Sequence, residues 1–366
     1  MRIQAAVCRE PQGLPRIETL ELDAPRVGEI RVRLVAVGVC HTDIRVALRP
    51  MGPRPLVLGH EGAGIVEAVG EGVEDFVPGD PVLMSYAFCG HCVACRQEAK
   101  SYCLEAMPRN FAGARSDGSS PLSGDGGMIH GAFFGQSSFA THAVCEARQA
   151  IKAPADIPLE RLAPLGCGVQ TGAGAVMNSM KVGEGQSLAV FGAGSVGLSA
   201  VMAGKAIGAG RIVAVDINPQ RLAVASSLGA TDVIDPRTAD PVAAIRDLTG
   251  AGADFVLNTT DRPEVYQQGI DSLGVKGVFA FVTSPGADLP VNLSQLMLGG
   301  RSIRGVVQGD SEPRAFIPRL IELHRQGRFP IEQLITTYPF EQIAEAMHDS
   351  ETGKAIKPVL TFPTAR

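Results

Sequence analysis

Four cysteines, Cys89, Cys92, Cys95 and Cys103, form the pattern C-x2-C-x2-C-x7-C. Spacings this short let one loop offer four thiolates to a single tetrahedral ion, the closed coordination of structural zinc. Scattered buried cysteines, or one redox Cys-x-x-Cys pair, do not account for the cluster. His91 lies among them, but a complete thiolate set leaves it no vacancy. A second constellation, Gly192-Ala193-Gly194-Ser195-Val196-Gly197, follows the apolar run SLAVF and opens a helical pattern. Its first glycine permits a turn, its second lets backbone approach a pyrophosphate, and its third lets helix pack on strand. The phosphates then meet free N–H groups at a helix N-terminus. Asp216 closes the next apolar run. A carboxylate there accepts hydrogen bonds from the adenosine ribose hydroxyls and repels a 2′-phosphate, which predicts NAD over NADP. Three further segments stand apart: Cys40-His41-Thr42-Asp43, Gly59-His60-Glu61-Gly62-Ala63-Gly64, and Gly166-Cys167-Gly168-Val169-Gln170-Thr171-Gly172. Taken singly, each cysteine in them reads as a small buried hydrophobe.

The elements that must position these residues differ along the chain. Between about 187 and 308, six short apolar runs (SLAVFG, RIVAVD, TDVID, DFVLNT, GVFAFV and SIRGVV) alternate with helix-spaced stretches. That alternation implies a mostly parallel sheet covered on both faces. Residues 1–168 read instead as an antiparallel, turn-rich domain, with EIRVRLVAV alternating. After Gly309, the amphipathic PRAFIPRLIELHRQG and the stretch EQIAEAMHDSETG are expected to return to that first domain.

A length of 366 residues with 45% hydrophobic and 19% charged residues supports two sizeable cores and excludes global disorder. The 43 glycines and 25 prolines have no fixed period, so they signal tight turns and close backbone approaches, not collagen. A net charge of −5 argues against a nucleic-acid ligand, and against reading the cysteine lobe as a nucleic-acid-binding zinc ribbon. The N-terminal MRIQAAVCRE lacks the apolar core of a signal peptide, and 187–204 is interrupted by four glycines. The expectation is a cytoplasmic protein with no membrane segment. There, eight cysteines point to metal, not disulfides.

Taken together, the three dispersed segments, the four-cysteine lobe, the glycine motif and the ending Gly353-Lys354-Ala355-Ile356-Lys357 resemble the zinc-dependent medium-chain alcohol dehydrogenases. The stretch CGVQTGAGAVMNSMKVGEGQSLAVFGAGSVG is most similar to the aryl-alcohol and allylic-terpenol members. The resemblance implies an α/β protein. A GroES-like antiparallel β-barrel catalytic domain (1–168 and 309–366, structural zinc lobe 89–103) would carry an inserted Rossmann doubly wound parallel-sheet domain (169–308), with the cleft at their junction. It implies two zinc ions per subunit. Cys40, His60 and Cys167 become ligands of the catalytic ion, whose open fourth position suits an alcohol oxygen. Asp43 would orient His60, and Glu61 would sit behind the metal as a neighbour or transient ligand. Thr42 would take the alcohol proton. Many relatives place a histidine five residues after the first cysteine ligand, to pass that proton to solvent. Arg45 stands there and cannot act as that base, because arginine stays charged.

The resemblance further places His41, Arg221 and Lys357 near the cofactor's pyrophosphate or adenosine ribose, and Thr171 beside its nicotinamide. Phe133, Phe134, Met51, Ser85 and Pro108 are expected to line the substrate channel. The implied activity is reversible, NAD-dependent oxidation of primary aryl or allylic alcohols to aldehydes. Alternatives are a general aliphatic dehydrogenase, one acting on a glutathione–formaldehyde adduct, and a non-enzymatic member of the fold. A zinc-free quinone or enoyl reductase would lack Cys40, His60 and Cys167, all present here. The apolar SIRGVV would be an exposed sheet edge in a monomer, so a dimer, or a tetramer of paired dimers, is expected.

Overall fold

The alternating pattern of the second half forms a six-stranded, all-parallel sheet in the computed structural model, which describes residues 1–11, 13–49, 51–124 and 126–363. Its order is Asp232–Ile234, Arg211–Val215, Ser187–Phe191, Ala253–Asn258, Leu273–Phe281, Ser302–Gly305. The strand order reverses at Ser187–Phe191, which places a topological switch point between the carboxyl ends of that strand and Ala253–Asn258. Crevices at such switch points hold ligands in doubly wound folds. Phe191, Val213, Val215, Val256 and Phe279 form the buried centre.

Local signals explain the helices. Asn218 and Asp240 accept backbone N–H bonds at the starts of Pro219–Leu228 and Pro241–Thr249, each with proline in its first turn. The four helical stretches between the first five apolar runs appear within a few residues of expectation. The helix Leu293–Gly299 has a weak sequence signal: it buries no residue fully, and half-buried Leu296 packs it against the core.

The other part of the chain folds into two sheets. One is five-stranded. The other runs Ala150–Lys152, Pro81–Met84, Gly62–Val69, Glu29–Gly38, Lys357–Thr361, Ile335–Pro339, with His142–Glu146 also on Glu29–Gly38. All its pairs are antiparallel except the last, where Ile335–Pro339 lies parallel to Lys357–Thr361 because Ile343–Thr352 crosses between them. The expected strand EIRVRLVAV is Glu29–Gly38, buried at alternate positions over its first half.

By contacts the chain divides into one unit of Met1–Cys167, Glu312–Pro318 and Ile331–Arg366, and another of Gly168–Ser311 and Arg319–Pro330. The sequence placed all of 309–366 with the first unit. Residue 168, residues 309–311 and residues 319–330 go with the second; within it Arg328 donates to the Ala206 carbonyl, at the end of the helix Ser195–Ala206.

Candidate metal centre and dinucleotide cradle

Cys40 precedes the helix His41–Leu48 in an extended conformation, and Asp43 sits in its first turn. One Asp43 oxygen accepts the Cys40 N–H at 3.0 Å. The other accepts the Gly59 N–H at 3.1 Å and meets His60 Nδ1 at 2.9 Å. A single carboxylate with no exposed surface thus ties the segment of one candidate ligand to that of another. Because Asp43 takes Nδ1–H, the His60 Nε2 lone pair points away from it. Nε2 is buried and has no hydrogen-bond partner. Such an orphan is costly unless something occupies the space before it. Donor atoms of Cys40, His60, Glu61 and Cys167 all lie within 4.8 Å of one another. Two thiols and an orphaned imidazole nitrogen, oriented from behind by a carboxylate, suit zinc.

Electrostatics favour a thiolate at Cys40 and a proton on His60 that a bound cation would displace. A hydrogen bond from the Cys167 thiol holds Cys40 well below the ordinary thiol range, outweighing burial, and His60 and Lys357 add to the effect. Sharing that proton, together with burial, pushes Cys167 up. Burial disfavours a charged His60, yet Asp43 and Cys40 hold its pKa well above the usual imidazole range.

Glu61 is fully buried, and Lys357 Nζ meets its two oxygens at 3.0 and 2.9 Å. The same ammonium donates to the Val39 carbonyl at 3.1 Å. These three acceptors match its three N–H bonds. Lys357 is therefore reassigned from a pyrophosphate contact to the counter-ion of Glu61. The space for Glu61 exists because residue 38 is glycine: a Cβ there would lie 2.0 Å from Glu61 Oε2. A glycine that ends the apolar run of a strand signals such close approach.

Three expected channel residues take other roles. Ser85 is fully buried and donates to the Gly166 carbonyl at 2.8 Å, next to Cys167. Phe133 has no exposed surface and sets its edge against His60, with ring centroids 5.7 Å apart. Phe134, 7% exposed, stacks on the imidazole at 4.4 Å. Both rings pack on a candidate ligand. Met51 and Pro108 are exposed, Thr42 and Arg45 half-buried, and His41 exposed.

The four-cysteine lobe closes as spacing predicted. Cys89, Cys92, Cys95 and Cys103 bring their sulfurs within 4.8 Å of one another. Backbone N–H groups of Cys92, Cys95, Cys89 and Glu105 point at the sulfurs of Cys89, Cys92, Cys103 and Cys103, at 3.3 to 3.5 Å. Backbone N–H groups of Leu104 and Cys95 lower the Cys92 thiol to about 6. Burial pushes the Cys95 and Cys103 thiols up, Cys95 to about 12, so in the absence of a cation the N–H dipoles favour a thiolate at Cys92 alone of these three. His91 is mostly exposed and pairs with Glu105 at 3.4 Å.

In the other unit, Gly192, at φ +91°, makes the turn after Ser187–Phe191, and Ser195–Ala206 begins directly after Gly194. A Cβ at Gly194 would meet nothing within 4 Å, so the backbone there borders open space, as a pyrophosphate requires. Ser195 Oγ and Arg221 Nε are buried without partners. Asp216 accepts N–H bonds from Ala193 at 2.6 Å and Asn218 at 2.7 Å, which fixes its carboxylate beside the glycine turn. Thr171 lies on Gly168–Gly174. That helix reaches the first turn of the glycine-motif helix because a Cβ at Gly172 would stand only 1.9 Å from the Val196 carbonyl.

These features define a zinc-binding dehydrogenase with a GroES-like domain. Residues 26–155 match the alcohol dehydrogenase GroES-like domain family, and 195–323 match the zinc-binding dehydrogenase family. The chain belongs to the zinc-binding alcohol dehydrogenases, whose cofactors are zinc and NAD(H). It is 47% identical to the geraniol dehydrogenase of Castellaniella defragrans, over 98% of this chain and 97% of that one. It superposes on the benzyl alcohol dehydrogenase of Acinetobacter calcoaceticus with a TM-score of 0.95 and 44% identity, covering 99% and 100% of the two chains. An alcohol dehydrogenase zinc-binding domain protein from Burkholderia ambifaria gives a TM-score of 0.97 at 49% identity, covering 99% of each chain. No helix among the described residues is long and apolar enough to cross a membrane.

Proposed function

We propose that this protein oxidises primary aryl or allylic alcohols, of the benzyl or geraniol kind, reversibly to aldehydes, with NAD as hydride acceptor. The observation that carries this reading is the orphaned His60 Nε2 set among the Cys40 and Cys167 sulfurs. Both Glu61 oxygens are taken by Lys357. Lys357 neutralises Glu61, so Cys40, His60 and Cys167 are the three donors assigned to the ion, with the fourth position for substrate. A zinc ion there supplies Lewis acidity that eases loss of the hydroxyl proton, and the nicotinamide supplies the hydride acceptor. Asp43 keeps the His60 proton on Nδ1. Thr42 Oγ would accept the alcohol proton and pass its own on through the nicotinamide ribose, as hydride leaves the alcohol carbon for the nicotinamide; the products are aldehyde, NADH and one released proton. Asp216 and the glycine turn hold the adenosine ribose and pyrophosphate, and Thr171 packs beside the nicotinamide. We assign two zinc ions per subunit, the second in the cysteine lobe, and a cytoplasmic location.

The relatives named for geraniol and benzyl alcohol support the aryl or allylic class. Conjugation stabilises the aldehyde product of such alcohols, and burying a ring contributes roughly 25 cal/mol per Å² before ordering costs. Initial rates of NADH formation with ethanol, hexanol, benzyl alcohol, cinnamyl alcohol, geraniol and cyclohexanol test this. Benzyl alcohol and geraniol should exceed ethanol by more than about tenfold in kcat/KM. Parity with ethanol would reject the aryl or allylic class and leave the dehydrogenase standing.

We also propose a dimer joined through Ser302–Gly305, the outermost strand of the parallel sheet, whose four residues are all exposed. Exposed Leu293, Met297 and Leu298 lie on the helix just before it. Edges of this character are normally covered; a stable monomer in light scattering would refute the pairing.

A further inference from the structure

The turn 133–138 contains three residues with left-handed backbone: Phe134 at φ 50°, Gly135 at 66° and Ser137 at 46°. Glycine tolerates this region, but a bulky phenylalanine is a rare occupant that persists only when its surroundings over-determine it. They do so here. Ser137 Oγ accepts the Phe133 N–H at 2.8 Å and donates to the Val57 carbonyl at 2.6 Å. Gln149 Nε2 donates to the Phe134 carbonyl at 2.9 Å. The strained conformation lays the Phe134 ring on the His60 imidazole, 4.4 Å away and tilted 24°, while Phe133 closes the edge.

Gln136, 1% exposed, works on the backbone of the same region. Its Oε1 accepts the Gly62 N–H at 3.1 Å, and its Nε2 lies 3.1 Å from both the His60 and Ser85 carbonyls. One amide therefore brackets Glu61 from either side. It also grips Ser85, whose hydroxyl holds the Gly166 carbonyl next to Cys167.

We infer that the turn 133–138 is a positioning element for the metal ligands, Phe134 fixing the plane of the His60 ring and Gln136 fixing the spacing between the His60 and Cys167 segments. The inference rests on the reading that Cys40, His60 and Cys167 hold a metal. Asp43 constrains His60 at one atom only and leaves the ring free to rock about that bond. Stacking removes this freedom. Groups that orient ligands in this way govern metal retention, typically by 10- to 100-fold.

The test uses the zinc-loaded protein and follows transfer of each ion to a chromogenic chelator, alongside the thermal midpoint. Comparison with Cys167→Ala identifies which ion is released, and the cysteine-lobe ion serves as internal reference. Phe134→Leu and Gln136→Leu should speed release of the Cys40–His60–Cys167 ion by about tenfold or more, with the lobe ion unaffected. Phe134→Tyr, which keeps the ring, should retain the wild-type rate. Phe134→Gly, which suits the backbone but deletes the ring, should fold and release as fast as Phe134→Leu. Equal rates for the Leu and Tyr variants would overturn the inference. Parallel acceleration of both ions with a falling midpoint would also overturn it, since that marks general loosening. Unmutated protein that yields only the lobe ion would remove the metal reading itself. None of these rates depends on which alcohol the enzyme prefers, so failure of the substrate assignment is separately visible.

Discussion

Lys357 and Glu61, 296 residues apart, form an ion pair at 2.9 Å whose side chains are 3% and 0% exposed. Burial disfavours the Lys357 ammonium, but Glu61 and Cys40 outweigh it and raise its pKa further above the lysine range. A raised lysine stabilises the fold fully below its unfolded pKa of about 10.4, and the contribution is lost only as pH rises through the higher folded value. The pair is therefore constant through neutral pH. Lys357→Met strands a buried carboxylate and should cost about 3–5 kcal/mol in urea unfolding, while adding Glu61→Gln should recover much of it. A loss under about 1 kcal/mol would show that water reaches Glu61.

The two metal sites should respond oppositely to mutation. Cys167→Ala should abolish activity with little change in thermal midpoint, because the donors it joins are already held by Asp43 and Gln136. Cys95→Ala should lower the midpoint, since a closed four-thiolate site contributes its binding free energy to folding. Metal analysis of the unmutated protein should give two zinc ions per chain, and one or none would refute the two-site assignment.

Cofactor choice should depend on Asp216. Its oxygens already accept the Ala193 and Asn218 N–H groups, so the carboxylate is fixed before any cofactor arrives. Asp216→Ala should lose ribose hydrogen bonds and relieve repulsion of a 2′-phosphate, narrowing the NAD/NADP ratio of kcat/KM by about tenfold or more. An unmutated enzyme that prefers NADP would overturn the role given to Asp216.

Thr42→Val should lower kcat by about 10²-fold while sparing zinc and NAD binding, because it deletes the hydroxyl proposed to relay the proton. Arg45→Ala, three residues further along the same helix, should change the chemical step far less. Equal losses in the two variants at unchanged cofactor affinity would give Arg45 a part in proton transfer.

The sequence by itself determined whatever depends on neighbours along the chain. Cys89 to Cys103 fit one loop, so their spacing was enough to bring the four sulfurs together. The glycine turn, Asp216 and the capped helices rest on dihedral and capping preferences confined to a few residues. Only tertiary structure decided the surroundings of His60, which are built from Asp43, Phe133, Phe134 and Gln136 across separations of 17 to 76 residues. A phenylalanine carries the same apolar signal whether it walls a channel or stacks on a ligand, so Phe133 and Phe134 could not be assigned from their types. Lys357 could not be either: an ammonium beside a phosphate and one locked on Glu61 look alike until the strand Lys357–Thr361 pairs with Glu29–Gly38 and brings the two charges to one buried spot. Local geometry is encoded in local residue choice, whereas which buried group meets which is settled by sheet register and packing.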